Sequence, residues 1–205
     1  TNSRKLWSQV WSFKDHGKNY NNVFRKNHKI GFKWLHDDFG SNYRMTEMQA
    51  VIGRHQLKSL DKQIKKRNLI AKMYLNGLRD YYQKHEILKI PDFNDVGLVK
   101  KTNNKYNEFR HAFYRLNLFL NTNKIKQEEL IEKLNRKKIN CGVGPCPEIY
   151  REKIFKKLKL YPKKRLLNAK LLGKKSIAFP INPYRDLNEV RSEINIIKKV
   201  FNDYL

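Results

Sequence analysis

The stretch Gly40-Ser41-Asn42-Tyr43-Arg44-Met45-Thr46-Glu47-Met48-Gln49-Ala50 decides how the rest of the chain is read. Thr46-Glu47-Met48-Gln49 has the form of a capping box, in which a threonine oxygen accepts from the backbone N–H three residues on and the glutamine side chain reaches back. Met48, Ile52, Leu57, Leu60, Ile64, Ile70, Met73, Tyr74 and Leu78 then supply an apolar stripe, and no proline intervenes before Pro91. The spacing predicts a helix of more than 30 residues, far beyond the usual three turns. A glycine turn thus carries Asn42 and Arg44 to a helix N-terminus. An amide, a guanidinium and backbone N–H groups placed there suit a phosphate. The same residue types also form turns that bind nothing, so this segment by itself leaves both readings open.

Toward the N-terminus, Leu6, Val10 and Phe13 recur at helical spacing beside Trp7 and Trp11. They predict a helix over 3–13 that gives out toward Gly17. Residues 14–44 alternate polar and aromatic without a period, a long connection of the kind that usually has a task. Toward the C-terminus, 87–90 and the aromatic-rich 111–120 read as strands, and 127–138 as a helix through Leu130, Ile131 and Leu134. Residues 149–158 and 162–172 read as two short helices, the second with Pro162 in its first turn. The second would turn Leu166, Leu167, Ala169 and Leu171 to a core and Lys163, Lys164 and Lys170 to solvent. Ser176 to Pro180 reads as a buried strand. Asp186 opens a last helix with Leu187, Val190, Ile194, Ile197 and Phe201 on one face. Helices and short strands mixed without an internal repeat imply an α/β or α+β chain.

The 205 residues give room for one domain or two small ones. At 40% hydrophobic, with 11 Phe, 11 Tyr and 3 Trp, the chain can build a core, which argues against disorder. No apolar run approaches the roughly 18 residues of a membrane span. The first residues hold no apolar signal core, so the chain reads as soluble, globular and cytoplasmic. Charge is the anomaly: 45 Lys and Arg against 19 Asp and Glu give +26. A nucleic-acid-binding protein is one reading of that excess. Lysine-rich composition spread along the whole chain is the other, and no nucleic-acid docking motif is present. Residues 151–175 are densest, with 11 basic residues against Glu152.

No self-contained catalytic set stands out: G-x-S-x-G, HExxH, a P-loop and a helix-opening GxGxxG are all missing. The six histidines never fall at metal-ligand spacing, so no metal site is expected. Cys141 and Cys146 read as two ordinary buried thiols, with a redox pair as the alternative despite the lack of C-x-x-C spacing.

The segment G-x-N-x-R-M-T-E-x-Q-A, continued by Ile52-Gly53-Arg54-His55-Gln56-Leu57, closely resembles the DegT/DnrJ/EryC1/StrS family, pyridoxal-phosphate enzymes acting on nucleotide-linked keto sugars. Phe13-Lys14-Asp15-His16-Gly17 resembles the family's (R/K)xHG stretch, and His111-Ala112-Phe113-Tyr114 its HAWY strand. Residues 139–155 fall in its substrate-loop region, and 180–201 resemble its closing P-x-x-P helix. The resemblance implies an α/β fold, the C-terminal part of a fold-type-I transferase: residues 1–60 would end the large domain and carry the subunit-interface loop, and 61–205 would form the small α/β domain.

Function follows from the same resemblance. It implies amino transfer, with glutamate as donor, to a nucleotide-diphospho keto sugar for surface polysaccharide, by a homodimer with shared active sites. A dehydratase of the same family is an alternative. The cofactor is expected to be pyridoxal 5'-phosphate, and the residues carried over for it are Asn42, reaching the partner's cofactor phosphate, with Ser41 and Arg44 beside it. Arg44 also fits a structural ion pair. Tyr43, Glu148 and Tyr150 are the substrate-binding expectations, Glu148 standing where many members carry a histidine. The Schiff-base lysine matches none of this chain's lysines and is expected upstream of Thr1, so no catalytic residue is assigned and the chain alone is expected to be inactive.

Overall fold

In the computed structural model, residues 1–30, 33–91 and 111–205 are described; Gly31 and Phe32, within the long connection, lie outside them. The chain divides into two compact units, Thr1–Lys58 and Ser59–Leu205.

In the first unit, helix α1 (Arg4–Lys14) starts where Ser3 accepts from the Leu6 N–H, and it ends at Asp15. The 14–44 connection is more ordered than its sequence suggests. A short helix, α2 (Tyr20–Phe24), is capped by the Asn19 side chain, and backbone bridges join Asp15 to Asn42 and Lys18 to His36. Trp7, Trp11, Phe24 and Tyr20 pack edge-on or tilted, with centroid separations of 4.8–5.9 Å. Among the described residues of this unit, no apolar side chain is buried; the buried residues are Asp15 and Gly17.

Helix α3 (Glu47–Gly77) runs 31 residues, starting in the first unit and ending in the second. Its capping box forms as the sequence implies, with Thr46 N–H to Gln49 Oε1 at 3.0 Å and Gln49 N–H to Thr46 Oγ1 at 3.3 Å. Only the C-terminal end of its apolar stripe is covered: Ile70, Ala71 and Tyr74 are buried, while Met48, Ile52 and Leu57 stay more than 60% exposed.

The second unit has the hydrophobic core. Helix α4 (Arg79–Gln83) leads to β1 (Leu88–Lys89), which pairs antiparallel with β2 (Arg115–Leu120). The 111–120 strand starts late because Phe113, buried, takes a left-handed φ of 43°. That backbone breaks the pleat before Arg115. β3 (Ser176–Pro180) completes a three-stranded sheet in the order β1-β2-β3, with Leu116 opposite Phe179 and Leu118 opposite Ile177. Alternation along β2 sends Leu116, Leu118 and Leu120 inward. There they meet Leu130 and Leu134 of α5 (Gln127–Arg136), and Val190, Ile197, Val200 and Phe201 of α8 (Leu187–Asn202). Asp186 caps α8 by accepting from the Asn188 and Glu189 N–H groups.

Two expectations between α5 and β3 need correction. Residues 149–158 do not make one helix. Extended backbone at Glu152 separates a 3-10 turn (Ile149–Arg151) from α6 (Lys153–Lys157). The helix expected at 162–172 is displaced to α7 (Leu167–Lys175), leaving Pro162, Lys163 and Lys164 before it. Leu166, Leu167 and Leu171 are therefore exposed instead of facing a core, and Lys170 is half-buried. The thiols differ too: Cys141 is buried, and burial first, then the charge of Glu193, pushes it up to about 11. Cys146 is exposed.

Candidate cofactor and substrate loops

Ser41, Asn42 and Arg44 are brought together by backbone pairing with the end of α1. Ser41 N–H donates to Phe13 O at 2.9 Å, His16 N–H to Ser41 O at 3.2 Å, and Tyr43 N–H to Lys14 O at 3.0 Å. The two strips can approach because Gly17 sits at φ 79° with its carbonyl accepting from the Asp37 and Asp38 N–H groups at 3.0 and 3.1 Å. A Cβ on Gly40 would fall 2.2 Å from Gly17 N, so both glycines are needed for backbone to lie on backbone. Tyr43 stacks on Phe13 with centroids 5.7 Å apart.

Asp15, a residue that the sequence reading passed over, is the electrostatic centre of this knot. Its carboxylate lies 3.1 Å from Lys18 Nζ, and 3.9 Å from Lys14 Nζ and from Arg44 Nε. Desolvation alone would raise its pKa, but the Lys18 hydrogen bond and the charges of Lys18, Arg44 and Lys14 outweigh that and hold it below the usual carboxylate range. Arg44 therefore does have the ion-pair role, at long range, while its Nε and backbone N–H both donate to Asn42 Oδ1 at 3.3 Å. Among the described residues, the Asn42 Nδ2 hydrogens and the outer guanidinium nitrogens of Arg44 make no hydrogen bond. All of Ser41, Asn42, Tyr43 and Arg44 are exposed. Two unspent donors, a hydroxyl and a fixed positive charge fit one edge of a phosphate group such as that of pyridoxal phosphate. They do not fit its pyridine ring or its carbonyl carbon, for which this loop offers no partner.

Glu148 and Tyr150 form a second cluster, in the other unit. Arg165 grips Glu148 with both prongs, Nε to Oε1 at 2.7 Å and Nη2 to Oε2 at 2.6 Å. Tyr150 donates to Oε1 at 2.6 Å and accepts from the Leu166 N–H at 3.1 Å, and Arg151 lies 3.6 Å away. The Arg165 hydrogen bonds, followed by that of Tyr150, draw the Glu148 carboxyl down to about 2. Its oxygens are thus committed within the loop, and the outward donors belong to Arg151 and Arg165, which sequence reasoning had counted only as charge. Because the folded pKa is depressed, stability from this carboxylate is fully present above the ordinary glutamate value of about 4.3 and is lost as pH falls toward about 2. Glu148→Gln should therefore flatten the acid limb of the loop's stability. Pulsed unfolding followed by circular dichroism between about pH 5 and about pH 2, the window those two values bracket, checks this; equal acid sensitivity in both proteins would contradict it.

Among the described residues, no group of three or more His, Cys, Asp or Glu is placed to hold a metal, and no helix is long and apolar enough to cross a membrane. The model of the DegT/DnrJ/EryC1/StrS aminotransferase family matches residues 1–198. The chain belongs to this family. An aminotransferase from Psychrobacter cryohalolentis is similar at 33% identity and a TM-score of 0.81, over 99% of this chain and 50% of its own. The uncharacterized protein MJ1066 of Methanocaldococcus jannaschii is 28% identical over 174 residues, 83% of this chain and 41% of its own length. The E. coli GDP-4-keto-6-deoxy-D-mannose-3-dehydratase, solved with bound hydrated pyridoxal phosphate, shares the fold at 18% identity and a TM-score of 0.61, over 96% of this chain and 48% of its own. The chain thus spans about half the length of the relatives it matches. The α/β fold is that of the family's aminotransferases over that half, and neighbours of the same fold are solved with pyridoxal phosphate or its amine form bound.

Proposed function

We propose that this chain is the C-terminal part of a cytoplasmic, homodimeric sugar aminotransferase that moves an amino group from glutamate to a nucleotide-diphospho keto sugar for surface polysaccharide. The observation that carries the reading is the family match over residues 1–198 together with an Asn42 amide presented outward by the Asp15–Gly17–Gly40 knot. Pyridoxal phosphate, when bound, supplies the electron sink that such chemistry requires. This chain's part is to hold it. The Asn42 Nδ2 hydrogens donate to a phosphate oxygen of the cofactor in the partner subunit, Arg44 adds a positive charge, and the Ser41 hydroxyl a further donor. Asp15 and Lys18 keep that edge from collapsing, and Tyr43 stiffens it against Phe13. On the other unit, the Glu148–Arg165 clamp shapes a substrate loop whose free guanidinium hydrogens suit a diphosphate.

The first unit leaves apolar surface uncovered. A unit of residues 1–58 that buries no apolar side chain among those described, and exposes Leu6, Val10, Phe13, Met48 and Ile52, lacks the burial that folding requires. Surface of this kind has to be covered, by the rest of a longer chain or by a partner subunit, and the Asn42 edge lies within the same unit. The same scaffold serves a sugar dehydratase among its neighbours, so the product assay separates transfer of an amino group from loss of water.

The test is Asn42→Ala in the full-length protein. Loss of one charge-assisted hydrogen bond should weaken cofactor retention by about 1.5–3 kcal/mol. Dialysis followed by cofactor absorbance reads this directly, and an unchanged melting profile shows that the loop is still folded. A variant that keeps its cofactor as tightly as the parent removes Asn42 from the site.

A further inference from the structure

Beyond the Glu148 clamp the chain makes a closed excursion, and its ends meet where Arg165 holds Glu148 and the Leu166 N–H reaches the Tyr150 hydroxyl. α7 then lies against Pro147, since a Cβ on Gly173 would fall 2.2 Å from Pro147 Cγ. Inside the excursion, α6 ends on Lys159 in the left-handed region, φ 57°, with Lys159 N–H on Lys156 O at 3.1 Å and Leu160 N–H on Phe155 O at 2.9 Å. Helix ends of this form usually take glycine there, and an apolar contact often covers the residue that follows. Here that residue is Leu160, 64% exposed, with Tyr161 beside it at 51%. No residue of α6 or α7 is buried. Ile154 and Leu158 are four apart on α6, and Leu167 and Leu171 four apart on α7, so each pair shares a helix face. All four are more than half exposed. Nine lysines from Lys153 to Lys175 are interleaved with them, against one acid, Glu152. A single exposed leucine needs no cause; several, tied into one basic segment, do.

We propose that this segment docks on an anionic lipid bilayer, its lysines on the lipid phosphates and its aliphatic side chains in the headgroup boundary. Charge complementarity and exposed apolar side chains together are what interfacial segments carry. Lysine stems lie along apolar surface while their heads rise to the phosphates, so the two kinds of side chain serve one contact. Pinning at both ends keeps the leucines outward, because the excursion cannot fold in on itself without opening the Glu148–Arg165 pair. A nucleic acid would use the charge and leave the leucines idle. Its bases stack on aromatic rings, and Tyr161 is the one exposed ring between residues 152 and 175. A second copy of the same face would set lysine against lysine. Arg151 and Arg165 belong to the clamp and are left out of this surface. The inference therefore stands apart from amino transfer.

The experiment is sedimentation of the full-length protein with vesicles, one set of phosphatidylcholine alone and one of equal parts phosphatidylcholine and phosphatidylglycerol. The mixed vesicles should bind on the order of a hundredfold tighter, since each lysine close to an anionic surface adds about fivefold. On a chain of net charge +26, diffuse attraction is the rival. The triple variant Lys157→Glu, Lys163→Glu, Lys164→Glu should weaken binding by about a hundredfold. The control Lys84→Glu, Lys124→Glu, Lys137→Glu makes the same charge change at exposed positions outside the segment and should leave binding nearly unchanged. Leu160→Ser with Leu167→Ser alters no charge, yet should weaken binding by about tenfold and remove the part that survives salt. Should the triple variant lose its fold by circular dichroism, Lys163→Gln alone must still weaken binding by about fivefold where Lys124→Gln does not. Equal loss in the two triple variants, undiminished binding by the leucine variant, or no binding to the mixed vesicles, as when the rest of a longer chain covers the leucines, overturns the proposal. So does saturable binding to duplex DNA in place of the vesicles.

Discussion

Gly17→Ala is expected to dismantle the Asn42 loop while leaving the core of the second unit intact. An ideal Cβ at position 17 would lie 1.6 Å from Asp38 O and 2.5 Å from Asp38 C. Both are backbone atoms, so no side-chain rotation relieves the clash. The residue also sits at φ 79°, where a side chain adds about 1–2 kcal/mol of strain. Relief requires the 37–40 strip to move away. That breaks the Asp37 and Asp38 N–H bonds to Gly17 O and the Ser41–Phe13 pairing that fixes Asn42. With two or three backbone bonds lost, the total cost should be about 2–4 kcal/mol. The internal comparison is Gly53→Ala: nothing lies within 4 Å of a Cβ there, and the position is inside α3, so alanine should stabilise the chain by about 0.5–1 kcal/mol. Amide exchange reads both results. Gly17→Ala should lose protection at Asp37 and Asp38 first; if those amides stay protected, the backbone contact is not what holds the loop.

The glycine was readable in the sequence only as a helix end, and the difference is physical. Local signals carried what depends on neighbours along the chain: the Thr46–Gln49 box, the Asp186 cap, the 31-residue helix and the inward positions of α8. Long-range pairing was not visible. Nothing near Asp15 announces that Arg44, 29 positions later, will share its charge, or that Arg165 will close on Glu148 from a distance of 17 residues. The apolar stripe of α3 was right in period but misleading in consequence, because periodicity reports a face and not what covers it. At 162–172, Pro162 suggested a first helical turn, yet the helix starts at Leu167 and the leucines expected inside are exposed. Proline at a first turn is compatible with a helix start but does not compel one.

The largest loss of stability in the second unit is expected from Glu193→Ala. Glu193 is 8% exposed and joins three elements: the Tyr74 hydroxyl from α3, the Arg185 guanidinium from the turn before α8, and its own helix. Removing it strands a buried phenol and a half-buried cation together, which should cost roughly 3–5 kcal/mol. Tyr74→Phe, by contrast, leaves the ion pair in place and should cost about 1–3 kcal/mol. Burial first, and the Glu193 hydrogen bond next, raise the Tyr74 phenol well above its ordinary value. A raised folded pKa contributes stability that is whole below the unfolded value of about 10 and declines as pH rises beyond it. Denaturant unfolding should therefore show an alkaline loss in the parent protein that is smaller in Tyr74→Phe, where only the Tyr81 phenol and the Cys141 thiol remain raised by burial. A double-mutant cycle with Glu193→Gln decides whether the three groups act as one. Strongly non-additive losses are expected, since each substitution leaves the same partners unsatisfied. Simple additivity, or a Glu193→Ala cost below about 1 kcal/mol, would mean that α8 is held by its Val190, Ile194, Ile197 and Phe201 face alone and that Arg185 keeps its place without help.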